Sequence, residues 1–467
     1  MIDKENGYET ARLSFFSVVL LFMVSISACA PASTGSADPS EGGSSSFAIS
    51  EELLAQRAQD YVDQFQSGDF SSVFQDGGEE LAASCTQDSL SADWSACLAS
   101  ARTFRRQETP VVSASGDGWQ VEVASVHARY QICSQLLFAS DGTVSHISFS
   151  LRPLEVTPES GDSWYETPIT LGYDAEKPLN GMLTLPRDAE RPPVVILVSG
   201  SGANSMDSLI GAADNRFFAD LAHGLAEQGI ASIRYDKRSY AYPGDVIDIQ
   251  TEYLYDVKDA VRLAREDTRV DGDEIYLIGH SQGGMLSPKL VTDNPEFRGL
   301  ISMGGTLRRM EDLILEQNEV MNALNTALTP EERDAANAEV AQLVAEIKAL
   351  DADADASPDT LLYGYPETYW KSLNQIDSMG LAEQLAEEEY PMLILQGIND
   401  FQVLYDTDFA LWQEVVADNP NAACIAYEGL SHVFMPGTPE FDGTVYDAPA
   451  HVEPAVIEDI AAWILSS

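Results

Sequence analysis

The spacing of apolar positions changes several times along this chain. Behind Arg12 stands a predominantly apolar run, Leu13–Ser25. It has the length of a secretory h-region and falls short of the ~20 residues that a membrane-spanning helix needs. From Glu51 to Val62 the apolar residues Leu54, Ala58, Tyr61 and Val62 recur at helical spacing,. Trp119–Val126, Tyr130–Cys133 and Val144–Phe149 then alternate with period two, and Asp141-Gly142 reads as the hairpin turn before the last of them,. Residues 47–153 are therefore expected to form a small α+β domain.

From about Thr167 short apolar runs alternate with amphipathic stretches, the pattern of a largely parallel sheet covered by helices on both faces. The expected strands are Ile169–Tyr173, Gly181–Leu185, Val194–Ser199, Ala231–Tyr235, Glu274–Ile278, Gly299–Met303, Met392–Gln396 and Cys424–Tyr427. Helices are expected at Asn215–Gln228, Glu252–Glu266, Gln282–Thr292, Thr407–Ala417 and Val452–Leu465. Residues 307–389 interrupt this alternation between the sixth and seventh strands. Thr329-Pro330-Glu331-Glu332 inside them is a capping box with proline at the first helical position, so a helical hairpin is expected there,. Behind it comes an aromatic stretch, Tyr363–Trp370, which either faces a pocket or packs the insertion onto the core.

Composition narrows the partners. The 467 residues are 45% hydrophobic and carry 75 Asp+Glu against 26 Lys+Arg, a net charge of −49. The apolar share suits folded domains, while the charge argues against nucleic acid and against electrostatic docking on anionic lipid headgroups. Ile26-Ser27-Ala28-Cys29 resembles a bacterial lipobox, with Cys29 as the lipid-attachment residue, and Ala30–Ser46 is a Ser/Gly/Pro-rich tether,. The chain is thus expected to be exported and anchored to the outer face of the bacterial membrane by lipid; a plain secretory signal with an incidental cysteine is the alternative. The remaining thiols, Cys85, Cys97, Cys133 and Cys424, are even in number. Cys85 and Cys97 flank a loop-like stretch and are the expected disulfide, with other pairings or free thiols still open.

The chemistry is concentrated in four loops. Gly279-His280-Ser281-Gln282-Gly283 directly follows an apolar strand and precedes a helix, which is the setting of a nucleophile elbow,. A serine hydroxyl needs a base held by an acid, and the order Ser–Asp–His places them downstream. Asp400 follows the strand Met392–Gln396, whereas Asp406 and Asp408 fall at a helix start. His432 follows the strand at Cys424–Tyr427, whereas His451 adjoins the last helix. The oxyanion is expected to be met by the backbone N–H of Gln282 and, from Ser199-Gly200-Ser201-Gly202, that of Ser201, with Gly202 as the next choice.

Several blocks together resemble the EstD-type esterases of the α/β-hydrolase superfamily. They are the strand–Gly200-Ser201-Gly202 segment, Arg234–Arg238, Gly279–Pro288, Leu395–Val403 and Leu430–Met435. The resemblance implies an α/β-hydrolase fold over residues 167–467, a helical cap at 307–389, and carboxylic-ester hydrolysis without metal or cofactor, with small to medium acyl esters as the expected substrates. The N-terminal pattern is similar to small DUF3887-type, NTF2-like modules. An exopeptidase-like amidase and a catalytically silent surface-binding protein are the competing expectations.

Overall fold

The computed structural model describes residues 50–325, 327–350, 355–438 and 443–466. Cys29 and the Leu13–Ser25 run lie outside them. The chain forms two compact units that divide between Val156 and Thr157.

The first unit opens with a helix, Glu51–Gln66, whose Ser50 cap accepts the Leu53 N–H. Leu54, Ala58, Tyr61, Val62 and Phe65 form its buried stripe. The antiparallel strands Gly118–His127, Tyr130–Phe138 and Val144–Pro153 follow in hairpin register. Phe104–Gln107 and Val111–Ser115 both pair with Gly118–His127. The helix Gln87–Ala101 has no counterpart in the period-based expectation. Small and polar residues dominate it, and only Leu90, Trp94, Cys97 and Ala101 are buried. A Thr86/Ser89 capping box starts it,.

That helix removes the expected disulfide, since Cys85 and Cys97 are both free thiols. Cys85 ends the helix Glu79–Ser84, with its N–H donated back to Leu81. Cys97 lies well inside Gln87–Ala101, on its buried stripe. At a rise of ~1.5 Å per residue the helical turns between them hold the two about 15 Å apart along the axis. A disulfide needs Cα atoms within roughly 7 Å. Burial also pushes the Cys97 thiol up to about 12, which leaves it unreactive at neutral pH.

The second unit is built on eight strands: β1 Trp164–Leu171, β2 Leu179–Pro186, β3 Val194–Val198, β4 Ala231–Tyr235, β5 Ile275–His280, β6 Phe297–Met303, β7 Met392–Gly397 and β8 Ala422–Tyr427. Their order across the sheet is β1-β2-β4-β3-β5-β6-β7-β8. β2 runs antiparallel to both its neighbours, and the pairs from β4 to β8 are parallel. This is the α/β-hydrolase fold. The strand expected at Ile169–Tyr173 begins earlier and stops at Leu171, because Gly172 takes a φ of 121° and turns the chain out of the sheet.

Parallel central strands are buried on both faces and so read as unbroken apolar runs. Every residue of Val194–Val198 is buried. Val194, Ile196 and Val198 point into one core, and Val195 and Leu197 into the other. β5 divides in the same way, Ile275 and Leu277 against Tyr276 and Ile278, as the two-residue period of a strand requires. The helices Phe217–Glu227 and Pro454–Ser466 cover the second core; Tyr255–Glu266, Gln282–Asp293 and Ser378–Glu387 cover the first.

The insertion forms a hairpin of helices, Met310–Leu324 and Pro330–Lys348, the latter opened by the Thr329/Glu332 capping box. A two-residue ladder, Leu361–Leu362 with Tyr365–Pro366, leads into the helix Glu367–Asn374. Val340, Val344, Ile347, Tyr365, Tyr369 and Trp370 all join the first core. The insertion is therefore packed into the body of the hydrolase unit.

Candidate active site

The chain passes from β3 outward to β4 and then back across to β5, so β3 and β5 are neighbours from which it departs in opposite directions. Open α/β sheets bind ligands at such a switch point, beyond the carboxyl ends of the strands. The loops after β3 and β5 meet there. A Cβ placed on Gly200 would come within 2.8 Å of Ser281 Cβ and 3.3 Å of its Oγ. Only glycine lets the β3 loop lie this close to the serine.

Ser281 has φ 55° and ψ −118°. This is a strained conformation for a residue with a side chain, and it projects the hydroxyl above the sheet. Its N–H donates to the Met303 carbonyl (3.0 Å), and its carbonyl accepts from Met285 at the start of the helix (2.9 Å). The flanking glycines are required by contact: a Cβ on Gly279 would meet Gly283 O at 2.3 Å. Among the described residues the Ser281 hydroxyl makes no hydrogen bond. The substitution Ser281→Gly should relieve the strain and raise the unfolding free energy by roughly 1 kcal/mol. Urea denaturation at neutral pH checks this, and a less stable glycine variant would show the turn to be unstrained.

Asp400 and His432 are brought together. His432 Nδ1 donates to Asp400 Oδ2 at 2.7 Å, and both residues are buried. The carboxylate is held on every side. Oδ1 accepts the N–H groups of Gln402 (2.8 Å) and Val403 (2.9 Å), and Oδ2 also accepts Gln396 Nε2 (2.8 Å). With the proton on Nδ1, the His432 Nε2 lone pair is left as an acceptor. The His432 ring packs 4.6 Å from that of His280, the residue preceding Ser281. His280 Nε2 donates to the His432 carbonyl (3.0 Å). Burial, together with the neighbouring His432, holds the His280 pKa well below the usual imidazole value, so His280 is a neutral structural link.

The rival residues lie elsewhere. Asp408 is buried but accepts from Thr306, Arg308 and the Leu404 N–H. Asp406 is exposed. His451 is exposed and faces Asp220 at 3.1 Å.

Of the oxyanion candidates, Ser201 is exposed at the mouth of the β3 loop, and its N–H has no partner among the described residues. The Gly202 N–H is taken by the Tyr365 hydroxyl at 2.9 Å. Gln282 opens the helix Gln282–Asp293, where the first-turn N–H groups have no intrahelical acceptor. Period and motif did not single out Lys237, Tyr253, Tyr365, Tyr369 or Gln396. Lys237 stands in the Arg234–Arg238 block and the two cap tyrosines in the aromatic stretch, and these were the available signals.

Behind the β3 loop, Asp236 accepts the Met206 N–H through Oδ1 (2.8 Å), while its Oδ2 is buried without a protein partner. Burial is the main cause that raises its pKa from 3.8 to about 7. Between these values the folded protein holds a proton that the unfolded chain has released. The stability this confers is full below about pH 4 and is lost as pH rises through about 7. Asp236→Asn keeps the acceptor without the charge. It should raise the melting temperature at pH 8 relative to wild type and leave it nearly unchanged at pH 4; equal pH profiles for the two proteins would exclude a buried proton at Asp236.

Residues 211–436 match the family model described as serine aminopeptidase, S33. Esterase EstD of Thermotoga maritima is 26% identical over 416 residues, covering 87% of this chain and 94% of that protein. The stretch matched is longer than the hydrolase unit alone. Among solved structures, Est1E of Butyrivibrio proteoclasticus with ferulic acid bound is similar at 19% identity, covering 64% of this chain and 98% of that one, with a TM-score of 0.41. The Pyrococcus furiosus esterase Pf2001 is similar at 13% identity, covering 68% and 97%, with a TM-score of 0.43. The sequence is thus similar to that of an esterase, on a hydrolase fold whose serine, histidine and aspartate stand in the loops after β5, β8 and β7.

Proposed function

We propose that the protein is a serine carboxylesterase acting on small to medium acyl esters. The observation that carries this is the His432–Asp400 pair, with its Nε2 lone pair unused, held at the same sheet edge as a strained serine elbow. Ser281 Oγ attacks the ester carbonyl while His432 Nε2 takes its proton, and Asp400 stabilises the imidazolium. The N–H groups of Gln282 and Ser201 receive the developing oxyanion. Collapse of the intermediate expels the alcohol, which takes the proton from His432 and leaves an acyl-enzyme. Water, activated by the same histidine, then releases the acid. The similarity to EstD supports the choice of an ester substrate.

Labelling with a fluorophosphonate, followed by peptide mapping, should find the adduct on Ser281. A panel of p-nitrophenyl esters of graded acyl length should then be hydrolysed. An unlabelled Ser281 in folded protein would overturn the serine mechanism.

A second reading, an aminopeptidase-like amidase, draws on the description of the matched family model. An aminoacyl-anilide assayed beside the esters separates the two, because the ester reading requires turnover of anilides to be the slower by orders of magnitude. We further propose that Cys29 is lipidated and that the enzyme works from the outer membrane face at the end of the Ala30–Ser46 tether. Mass spectrometry of the mature N-terminus tests this, and a mature chain without a diacylglyceryl Cys29 would refute it.

A further inference from the structure

Two loops must present their N–H groups to the same oxygen, and the structure shows what holds them. The Gly200 carbonyl accepts Lys237 Nζ at 2.9 Å and Asn204 Nδ2 at 3.2 Å, and the Tyr253 hydroxyl lies 2.9 Å from it. Lys237 and Tyr253 are both buried. In a planar trans peptide the carbonyl and the following N–H point in opposite directions. Drawing the Gly200 oxygen inward therefore turns the Ser201 N–H outward, toward the mouth of the site. The positive charge of Lys237, balanced by buried Glu252 at 3.3 Å, polarises that peptide and strengthens its N–H as a donor.

The other side of the clamp comes from the cap. The Tyr365 hydroxyl accepts the Gly202 N–H at 2.9 Å, fixing the next turn of the same loop. The Tyr369 hydroxyl donates to Gln282 Oε1 at 3.0 Å. Tyr253 also lies 3.0 Å from Gln282 Oε1 and accepts a hydrogen bond from Lys237 Nζ at 2.7 Å. Its single hydroxyl proton goes either to Gly200 or to Gln282, so Tyr253 lies between the two donor loops and donates to one of them at a time. Tyr365 and Tyr369 stack with ring centroids 4.5 Å apart, so the two cap contacts are braced against each other.

We propose that the cap is a working part of the oxyanion hole: Tyr365 and Tyr369, with Lys237 and Tyr253 beneath, are positioning residues that set the direction of the Ser201 and Gln282 N–H groups. This rests on the serine-hydrolase reading above. Donor direction matters most when charge develops on the substrate oxygen. Loss of a clamp hydroxyl accordingly acts on the transition state and leaves ground-state binding alone.

The test compares wild type with Tyr365→Phe, Tyr369→Phe and the double variant, with Tyr363→Phe as control. The Tyr363 hydroxyl accepts from Asn318 inside the cap and touches neither donor loop. Each clamp variant should lower kcat roughly tenfold and the pair together by roughly fiftyfold, with KM changed less than twofold. Affinity for a trifluoromethyl ketone, whose hemiketal oxygen occupies the hole, should fall in parallel with kcat/KM. Tyr363→Phe should match wild type in both, and melting temperatures separate these effects from unfolding. Clamp variants that keep wild-type kcat and ketone affinity, or that raise KM alone, would overturn the inference while leaving the esterase reading intact. Wild-type protein that neither turns over esters nor binds the ketone would overturn both.

Discussion

Replacing Ser281 by alanine is expected to lower kcat on p-nitrophenyl acetate by at least about 10⁴-fold while the protein stays folded. The hydroxyl contributes nothing to stability that the structure can identify, since it makes no hydrogen bond among the described residues. The elbow is held by backbone contacts instead, from Ser281 N–H to Met303 and from Met285 N–H to Ser281, and alanine keeps both. The donor loops also survive, because the carbonyl of Gly200 and the side chain of Gln282 are fastened to Lys237, Tyr253 and Tyr369. A residual rate above that of water is therefore expected from the oxyanion hole alone. An alanine variant that retains turnover would show that another residue attacks the ester; one that unfolds would leave its loss of rate unassigned, and the fluorophosphonate label on wild type then decides the nucleophile.

The hydrolase unit was legible because its signals are local. A buried parallel strand such as Val194–Val198 must be a short apolar run, and a nucleophile elbow must carry glycine where Gly279 and Gly283 nearly touch. The pairing of Asp400 with His432 could be anticipated because both follow strands, and strand ends are where this fold displays side chains. Two kinds of feature stayed hidden. The helix Gln87–Ala101 has one narrow buried stripe among serines and alanines, so its period is faint, and the misreading carried the disulfide with it. The clamp was hidden for a different reason. Tyr253 and Gln282 are 29 residues apart and Gly202 and Tyr365 are 163 apart, and pairings at such separations are set by tertiary packing, in the second case that of the cap on the core. An apolar-looking aromatic stretch gives no sign that one of its hydroxyls meets the Gly202 N–H and another the Gln282 side chain.

Asp400→Asn should cost about 10⁴-fold in kcat with little change in KM, and the reason lies in how its two oxygens are used. Oδ1 serves the Gln402 and Val403 N–H groups, which asparagine can still satisfy with its carbonyl oxygen. The amide NH₂ then falls where Oδ2 had accepted two donors, Gln396 Nε2 and His432 Nδ1. Gln396 does not resolve the conflict by flipping, because its Nε2 also donates to the Val403 carbonyl at 3.0 Å. His432 has to yield: Nδ1 becomes the acceptor, the ring proton moves to Nε2, and the nitrogen that should take the Ser281 proton already carries one. The loop keeps the Gln402 and Val403 hydrogen bonds and loses only the one from Gln396, so the melting temperature should change far less than the rate. Asp408→Asn supplies the contrast. That carboxylate binds Arg308, Thr306 and the Leu404 N–H rather than His432, so its loss should lower stability and leave kcat within about tenfold of wild type. If the asparagine at 408 silenced the enzyme while the one at 400 spared it, the acid of the triad would be Asp408.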